Sequence, residues 1–190
     1  MKRGWVAWDS ESQSVKASHP VLQGVADFLA ADETDYDAHE GLFLQAMPDN
    51  TVLGAFLWKT VRGQGCGGIR LRHYSSIEEY IRDGLRLATG MGRKSALAGL
   101  WWGGGKGVIA SNSPEAYTAR APQGSRKGEA DRTAMLDAYG EFLTSLRGCY
   151  VAAEDAGITV SDVDQVGRHH LQIPQPTSIL IQTLTLPFLP

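Results

Sequence analysis

Residues 99–110 read GLWWGGGKGVIA and set a single cation, Lys106, among glycines. Three adjacent glycines give up much backbone entropy on folding, so a chain places them where a tight turn, a phosphate cradle or a close approach requires them. The lysine has two readings. As an exposed turn residue it is a solvated charge, the usual fate of lysine. As a chemical group it reaches a small ligand lying against the glycine backbone. It becomes a useful base only if burial or a neighbouring cation lowers its pKa. Lys94, twelve positions earlier, is a candidate for that cation, although spacing alone does not bring the two together.

Two nucleotide-binding patterns can be set aside. GQGCGG at 63–68 matches G-x-G-x-x-G letter for letter. A dinucleotide fingerprint needs a helix opening on its last glycine, so that the pyrophosphate meets free backbone N–H groups. Gly68 runs instead into IRLRHY, whose alternation predicts a strand. GGGKG is not a P-loop either, because Leu100 and Gly107 stand where that motif needs glycine and Ser/Thr.

The elements that must hold these residues alternate between strands and helices. Residues 20–31 predict a helix behind Pro20, with Val21, Val25, Phe28 and Leu29 on one face. The segments 41–47 and 51–61 flank Pro48-Asp49-Asn50 and predict a hairpin or two neighbouring strands. The clearest helix is 76–91, capped by Ser75 or Ser76, with Glu78 and Glu79 favoured in its first turn. Past Gly90 a short segment carries Lys94, and 108–110 predicts a buried strand. Residues 111–128 are rich in Ser, Pro, Gly and charge and predict a surface loop. A helix over 129–147 buries Met135, Tyr139, Phe142, Leu143 and Leu146, and a strand over 149–153 delivers Glu154 and Asp155. Ser161 is a candidate cap for a last short helix. The expected fold class is α/β, a mixed sheet flanked by helices.

Composition narrows the function classes. At 190 residues the chain suits one domain, with 43% apolar and 21% charged residues. A net charge of −3 supplies no general drive toward nucleic acid or anionic membrane. No apolar run has the length of a membrane span, and the start is too polar for a signal peptide. Cys66 and Cys149 make no disulfide framework or metal spacing, so the expected compartment is reducing, the cytoplasm or an organelle matrix.

Four blocks in fixed order carry a resemblance: GGIR at 67–70, RLATGMGRKSALAGL at 86–100, GGGKGVI at 103–109 and YVAAEDAGITVSDVD at 150–164. Together they resemble the N-terminal, substrate-binding and dimerising domain of the Glu/Leu/Phe/Val dehydrogenases, NAD(P)-dependent amino-acid dehydrogenases. The likeness covers about 40–166, with 1–39 a helical or extended lead-in and 111–128 an insertion loop. It implies that Gly67 and Gly68 lie beside the substrate α-carboxylate, that Met91 lines the pocket and that Lys94 pairs with that carboxylate. It further implies that Lys106 is the catalytic lysine activating the water that attacks the imino acid, and that Asp155 exchanges protons with the amine. The chemistry suits these types, since oxidative deamination needs a neutral amine and positive charge on the developing oxygens. Glutamate-type members carry lysine just before the glycine pair. Here Cys66 occupies that position, which favours an apolar amino acid. Trp101 and Trp102 replace a smaller apolar pair and are expected to bury in the sheet, narrowing of the pocket being the alternative.

The resemblance also implies an amino acid or 2-oxo acid as the small-molecule partner and a homo-oligomer. It fades after Asp164, and 171–190 is chargeless and Pro-punctuated, so 167–190 is expected to be a disordered tail. On the sequence alone no strand–glycine turn–helix unit remains to hold NAD(P), and the cofactor domain is expected to be absent. The expected function is therefore the substrate half of an amino-acid dehydrogenase, truncated before the dinucleotide domain. The alternative is a non-catalytic dimerisation or regulatory module, or an inactive truncated product.

Overall fold

The computed structural model describes residues 2–112 and 126–170. The predicted hairpin is present. Strands β3 (Gly41–Ala46) and β4 (Val52–Leu57) pair antiparallel through six Cα partners, from Gly41 with Leu57 to Ala46 with Val52. Their turn is fastened by the Asp49 carboxylate, which accepts from the Thr51 backbone N–H and hydroxyl. Strand β5 (Gly65–His73) and strand β6 (Gly103–Ser111) run parallel, and β6 pairs antiparallel with β4. Strand β7 (Tyr150–Glu154) closes that side, parallel to β5. Strands β1 (Lys2–Asp9) and β2 (Ser14–Ala17) extend the sheet beyond β3, so the lead-in segment belongs to the same sheet as the rest. The resulting mixed sheet has the order β2-β1-β3-β4-β6-β5-β7.

Helices cover both faces. Helix α1 (Gln23–Ala31) and helix α2 (Ile77–Leu97) pack Ala26, Leu29, Tyr80, Ile81, Leu85 and Ala88 against Val6, Leu42, Phe56 and Val108. Helix α3 (Arg126–Ser145) and helix α4 (Val160–His170) pack Leu136, Tyr139, Phe142 and Val166 against Leu53, Ile69, Leu71 and Ile109 on the other face. The period-two alternation of β4 separates the layers, Phe56 facing α2 while Leu53, Ala55 and Leu57 face α3.

Several sequence expectations need adjusting. Pro20–Leu22 forms a separate 3-10 turn ahead of α1, and Val21 is 75% exposed, so the buried face is narrower than predicted. Helix α2 begins as predicted, with the Ser76 hydroxyl accepting from the Glu79 N–H, but it continues six residues past Met91 and carries Lys94. Packing outweighs the poor helix propensity of glycine here. A Cβ on Gly92 would stand 2.5 Å from the Trp58 ring and 3.1 Å from the Gly104 Cα. The helix stops in a Schellman motif: Gly99 takes φ +69, its N–H reaches the Ala96 carbonyl, and the Leu100 N–H reaches that of Ser95.

The glycine run itself is not a turn. Gly103, Gly104 and Gly105 lie inside β6, and all three are buried. Trp101 and Trp102 precede that strand and do not bury in it. Trp101 is 80% exposed, with the Arg62 guanidinium 5.8 Å from its ring centroid. Helix α4 is capped by Thr159 rather than Ser161, through reciprocal bonds with Asp162 that Arg132 reinforces. Strand β6 reaches Ser111 and α3 begins at Arg126, which shortens the predicted 111–128 loop at both ends. Helix α4 runs to His170, so residues 167–170 of the predicted tail are helical. Residues 113–125 of the loop and 171–190 of the tail lie outside the described residues.

Candidate active site

Lys106 lies in the middle of β6, opposite Phe56 of β4, and only 4% of it is exposed. Its Nζ stands 2.8 Å from Oδ2 of Asp155, the first residue after β7. A third strand supplies Arg70, whose Nε donates to the same Oδ2 at 3.0 Å. The far end of that guanidinium meets both oxygens of Asp83 on α2, at 3.2 and 3.3 Å, and the Tyr74 hydroxyl donates to Asp83 at 2.7 Å. Thus three adjacent strands meet at one carboxylate, and α2 holds the other end of Arg70.

The electrostatics follow from this packing. Burial lowers the pKa of the Lys106 ammonium; the Asp155 charge opposes that shift and Arg70 reinforces it. Burial alone would raise Asp155. Hydrogen bonds from Lys106 and the Ala156 N–H, with the charges of Lys106 and Arg70, outweigh it and hold the carboxyl below its ordinary range. The site therefore presents an ionised acceptor beside a cation that gives up its proton more readily than a solvated lysine does.

Gly67 and Gly68 sit between these groups and α2. A Cβ on Gly67 would fall 3.2 Å from Met91 Cγ, and one on Gly68 would fall 2.7 Å from the Asp155 Cβ. The structure thus gathers Gly67, Gly68, Met91, Lys106 and Asp155 in one place. Lys94 lies one turn beyond Met91 on the same helix face and is exposed, outside the Lys106–Asp155–Arg70 contact. The cation beside Lys106 is therefore Arg70, not Lys94. Cys66 is half-buried, and burial pushes its thiol pKa up.

The glycines of β6 serve a different purpose from the one the sequence suggested. A Cβ on Gly105 would lie 2.7 Å from the Gly65 carbonyl carbon, and one on Gly107 would lie 2.4 Å from the Tyr139 hydroxyl. Protein atoms, not a ligand, fill the space these glycines leave.

Two residues of this cluster have no role in the sequence reading. Arg70 ends the GGIR segment, and its position two residues after Gly68 on a strand is the available signal. Tyr150, 1% exposed, left no such signal. The β5–β6 register holds at 65–66 and resumes at 69–73, and between them the Tyr150 hydroxyl takes over. It accepts from the Gly107 N–H at 2.7 Å and donates to the Gly67 carbonyl at 2.6 Å, with the Gly68 carbonyl at 3.2 Å. Tyr150 thereby ties the glycine pair to the strand that carries Lys106.

Residues 54–170 match the family described as Glu/Leu/Phe/Val dehydrogenase, dimerisation domain. The chain belongs to this family. It is 39% identical over 129 residues to leucine dehydrogenase of Geobacillus stearothermophilus, covering 68% of this chain and 31% of that protein. To valine dehydrogenase of Streptomyces coelicolor it is 41% identical over 112 residues, covering 59% and 27%. Among solved structures it is similar to L-tryptophan dehydrogenase from Nostoc punctiforme, with TM-score 0.58 and 26% identity over 78% of this chain and 38% of that one. The chain spans less than a third of the length of these curated dehydrogenases, 31% and 27%.

The glycines at 63–68 are packed against protein. Gly65 and Gly68 lie within β5, and added Cβ atoms would stand 2.4 Å from Leu57 and 2.5 Å from the Glu154 carbonyl oxygen. No helix opens on Gly68, so this pattern does not fit a pyrophosphate. Among the described residues no helix is long and apolar enough to cross a membrane.

Proposed function

We propose that this domain binds the amino acid in an L-amino acid dehydrogenase and supplies the proton-transfer groups for oxidative deamination. The observation that carries the reading is the buried Lys106 held 2.8 Å from the ionised carboxylate of Asp155. In the proposal Lys94, exposed beside Met91, pairs with the α-carboxylate, with the Gly67–Gly68 backbone alongside. Asp155 takes the proton from the substrate ammonium, leaving a neutral amine. Lys106 activates the water that attacks the imino acid, which its lowered pKa supports. Cys66 supplies no cation for a second carboxylate, which supports an apolar side chain, as do the names of the leucine and valine dehydrogenase relatives.

NAD(P) as hydride acceptor rests on the family resemblance. A homo-oligomer rests on the dimerisation domain that the family description names. Because the match spans 31% of the leucine dehydrogenase, binding and turnover are measured separately. Calorimetry on the full chain with L-leucine, L-valine and L-phenylalanine should detect binding, and Lys94→Ala should weaken it. Turnover with NAD(P) should disappear in Lys106→Ala; turnover that survives this change would remove Lys106 from the chemistry. Binding without turnover would support the binding-module reading over the enzyme reading.

A further inference from the structure

Asp155 Oδ2 receives two cations from different strands, Lys106 Nζ at 2.8 Å and Arg70 Nε at 3.0 Å. A carboxylate oxygen has two lone-pair positions, so both positions of Oδ2 are taken. We propose that Arg70 is a positioning residue: with Lys106 it occupies Oδ2, so that Oδ1 is the oxygen that takes the proton from the substrate ammonium. This rests on the function proposed above.

The guanidinium is built for that task. Its Nε faces Asp155 while its terminal nitrogen bridges to Asp83, which the Tyr74 hydroxyl fixes in turn. The fork is thereby held at both ends, and a lysine point charge could reach only one of them. All three side chains are largely withdrawn from water, at 20–27% exposure, so the contacts are screened less than surface ion pairs. The 27% of Asp155 that remains exposed leaves an approach for the ligand. The step balances simply. The ammonium loses one proton and becomes a neutral amine, the carboxylate gains it and becomes a neutral acid, and no electrons move between them. The groups around Asp155 are Lys106 from β6, Arg70 from β5, Asp83 from α2 with Tyr74 upon it, Tyr150 from β7 and the Ala156 N–H.

The experiment is a carbon-detected NMR titration of the Asp155 carboxyl in the full chain, assigned with Asp155→Asn. It is joined to calorimetric binding of L-leucine and of 4-methyl-2-oxopentanoate. Arg70→Gln should move the Asp155 midpoint up by at least one pH unit, and Arg70→Lys should restore part of that shift. L-leucine affinity should fall tenfold or more, while the oxo acid, which has no amine, should change less than threefold. A midpoint that stays in place in folded Arg70→Gln, or an equal loss for both ligands, would overturn the proposal. Should circular dichroism show Arg70→Gln unfolded, Arg70→Lys alone must show half the shift and the same bias against L-leucine. If the unaltered chain bound neither ligand, the function proposed above would fall. The titration would still decide whether Arg70 governs this carboxylate.

Discussion

Removing the Tyr150 hydroxyl tests whether one side chain substitutes for a stretch of sheet. In Tyr150→Phe the ring stays and fills its place, while the Gly107 N–H and the Gly67 carbonyl lose their partner at 2.7 and 2.6 Å. An unsatisfied buried polar group costs about 1–3 kcal/mol, so two would cost about 2–6 kcal/mol. Some of that is recovered if β5 and β6 move together, which places the expected loss at about 2–4 kcal/mol, a large share of a stability of about 5–15 kcal/mol. Tyr139→Phe is the control. It removes an equally buried hydroxyl that makes one bond, to the Gly54 carbonyl at 3.0 Å, and should cost about 1 kcal/mol. Urea unfolding followed by tryptophan fluorescence measures both. With a slope of about 2 kcal/mol/M, Tyr150→Phe should shift the midpoint down by about 1–2 M without changing the slope. If Tyr150→Phe loses no more than Tyr139→Phe, the ladder is closing without the hydroxyl and the reasoning fails.

Two further predictions concern α2 and its neighbours. His39 is fully buried, with Nε2 3.1 Å from the Leu85 carbonyl, and burial lowers its pKa to about 4. The fold therefore prefers the neutral ring. Its contribution is complete above the ordinary histidine value of about 6.5 and is lost as pH falls toward 4, at most about 3 kcal/mol. Urea midpoints between pH 7.5 and 5 should show this slope, and His39→Gln should flatten it even though it starts less stable. The glycines at 90 and 92 should respond oppositely to alanine. Nothing lies within 4 Å of a Cβ on Gly90, so Gly90→Ala should gain about 0.5–1 kcal/mol from helix propensity. A Cβ on Gly92 meets the Trp58 ring at 2.5 Å, so Gly92→Ala should lose about 1–3 kcal/mol by thermal or urea unfolding.

What could be read from the sequence was whatever neighbouring residues decide. The β3–β4 hairpin, the Ser76 cap and the apolar stripe of α2 each depend on local spacing, and each is present. The extension of α2 to Leu97 could not be read, because Gly90 and Gly92 argue locally for an end while Trp58 and Gly104 argue spatially for continuation. The run Gly103–Gly105 left a turn, a phosphate cradle and a close approach open for the same reason: its partners are strand neighbours from elsewhere in the chain. At the site, resemblance to a family picked out residues that the structure gathers, Lys106, Asp155, Gly67, Gly68 and Met91. It was silent on Arg70 and Tyr150, whose parts follow from cross-strand geometry.

Among the described residues, strand β7 lies at the outer edge of the sheet, paired with β5 over five Cα partners, and it delivers Asp155. Edge strands exchange their amide hydrogens through small local openings that leave the rest of a domain closed. Peeling β7 away would carry the carboxylate off Lys106 and Arg70 while β4, β5 and β6 stayed zipped. The carboxylate–lysine contact is thus only as durable as the least protected strand that forms it.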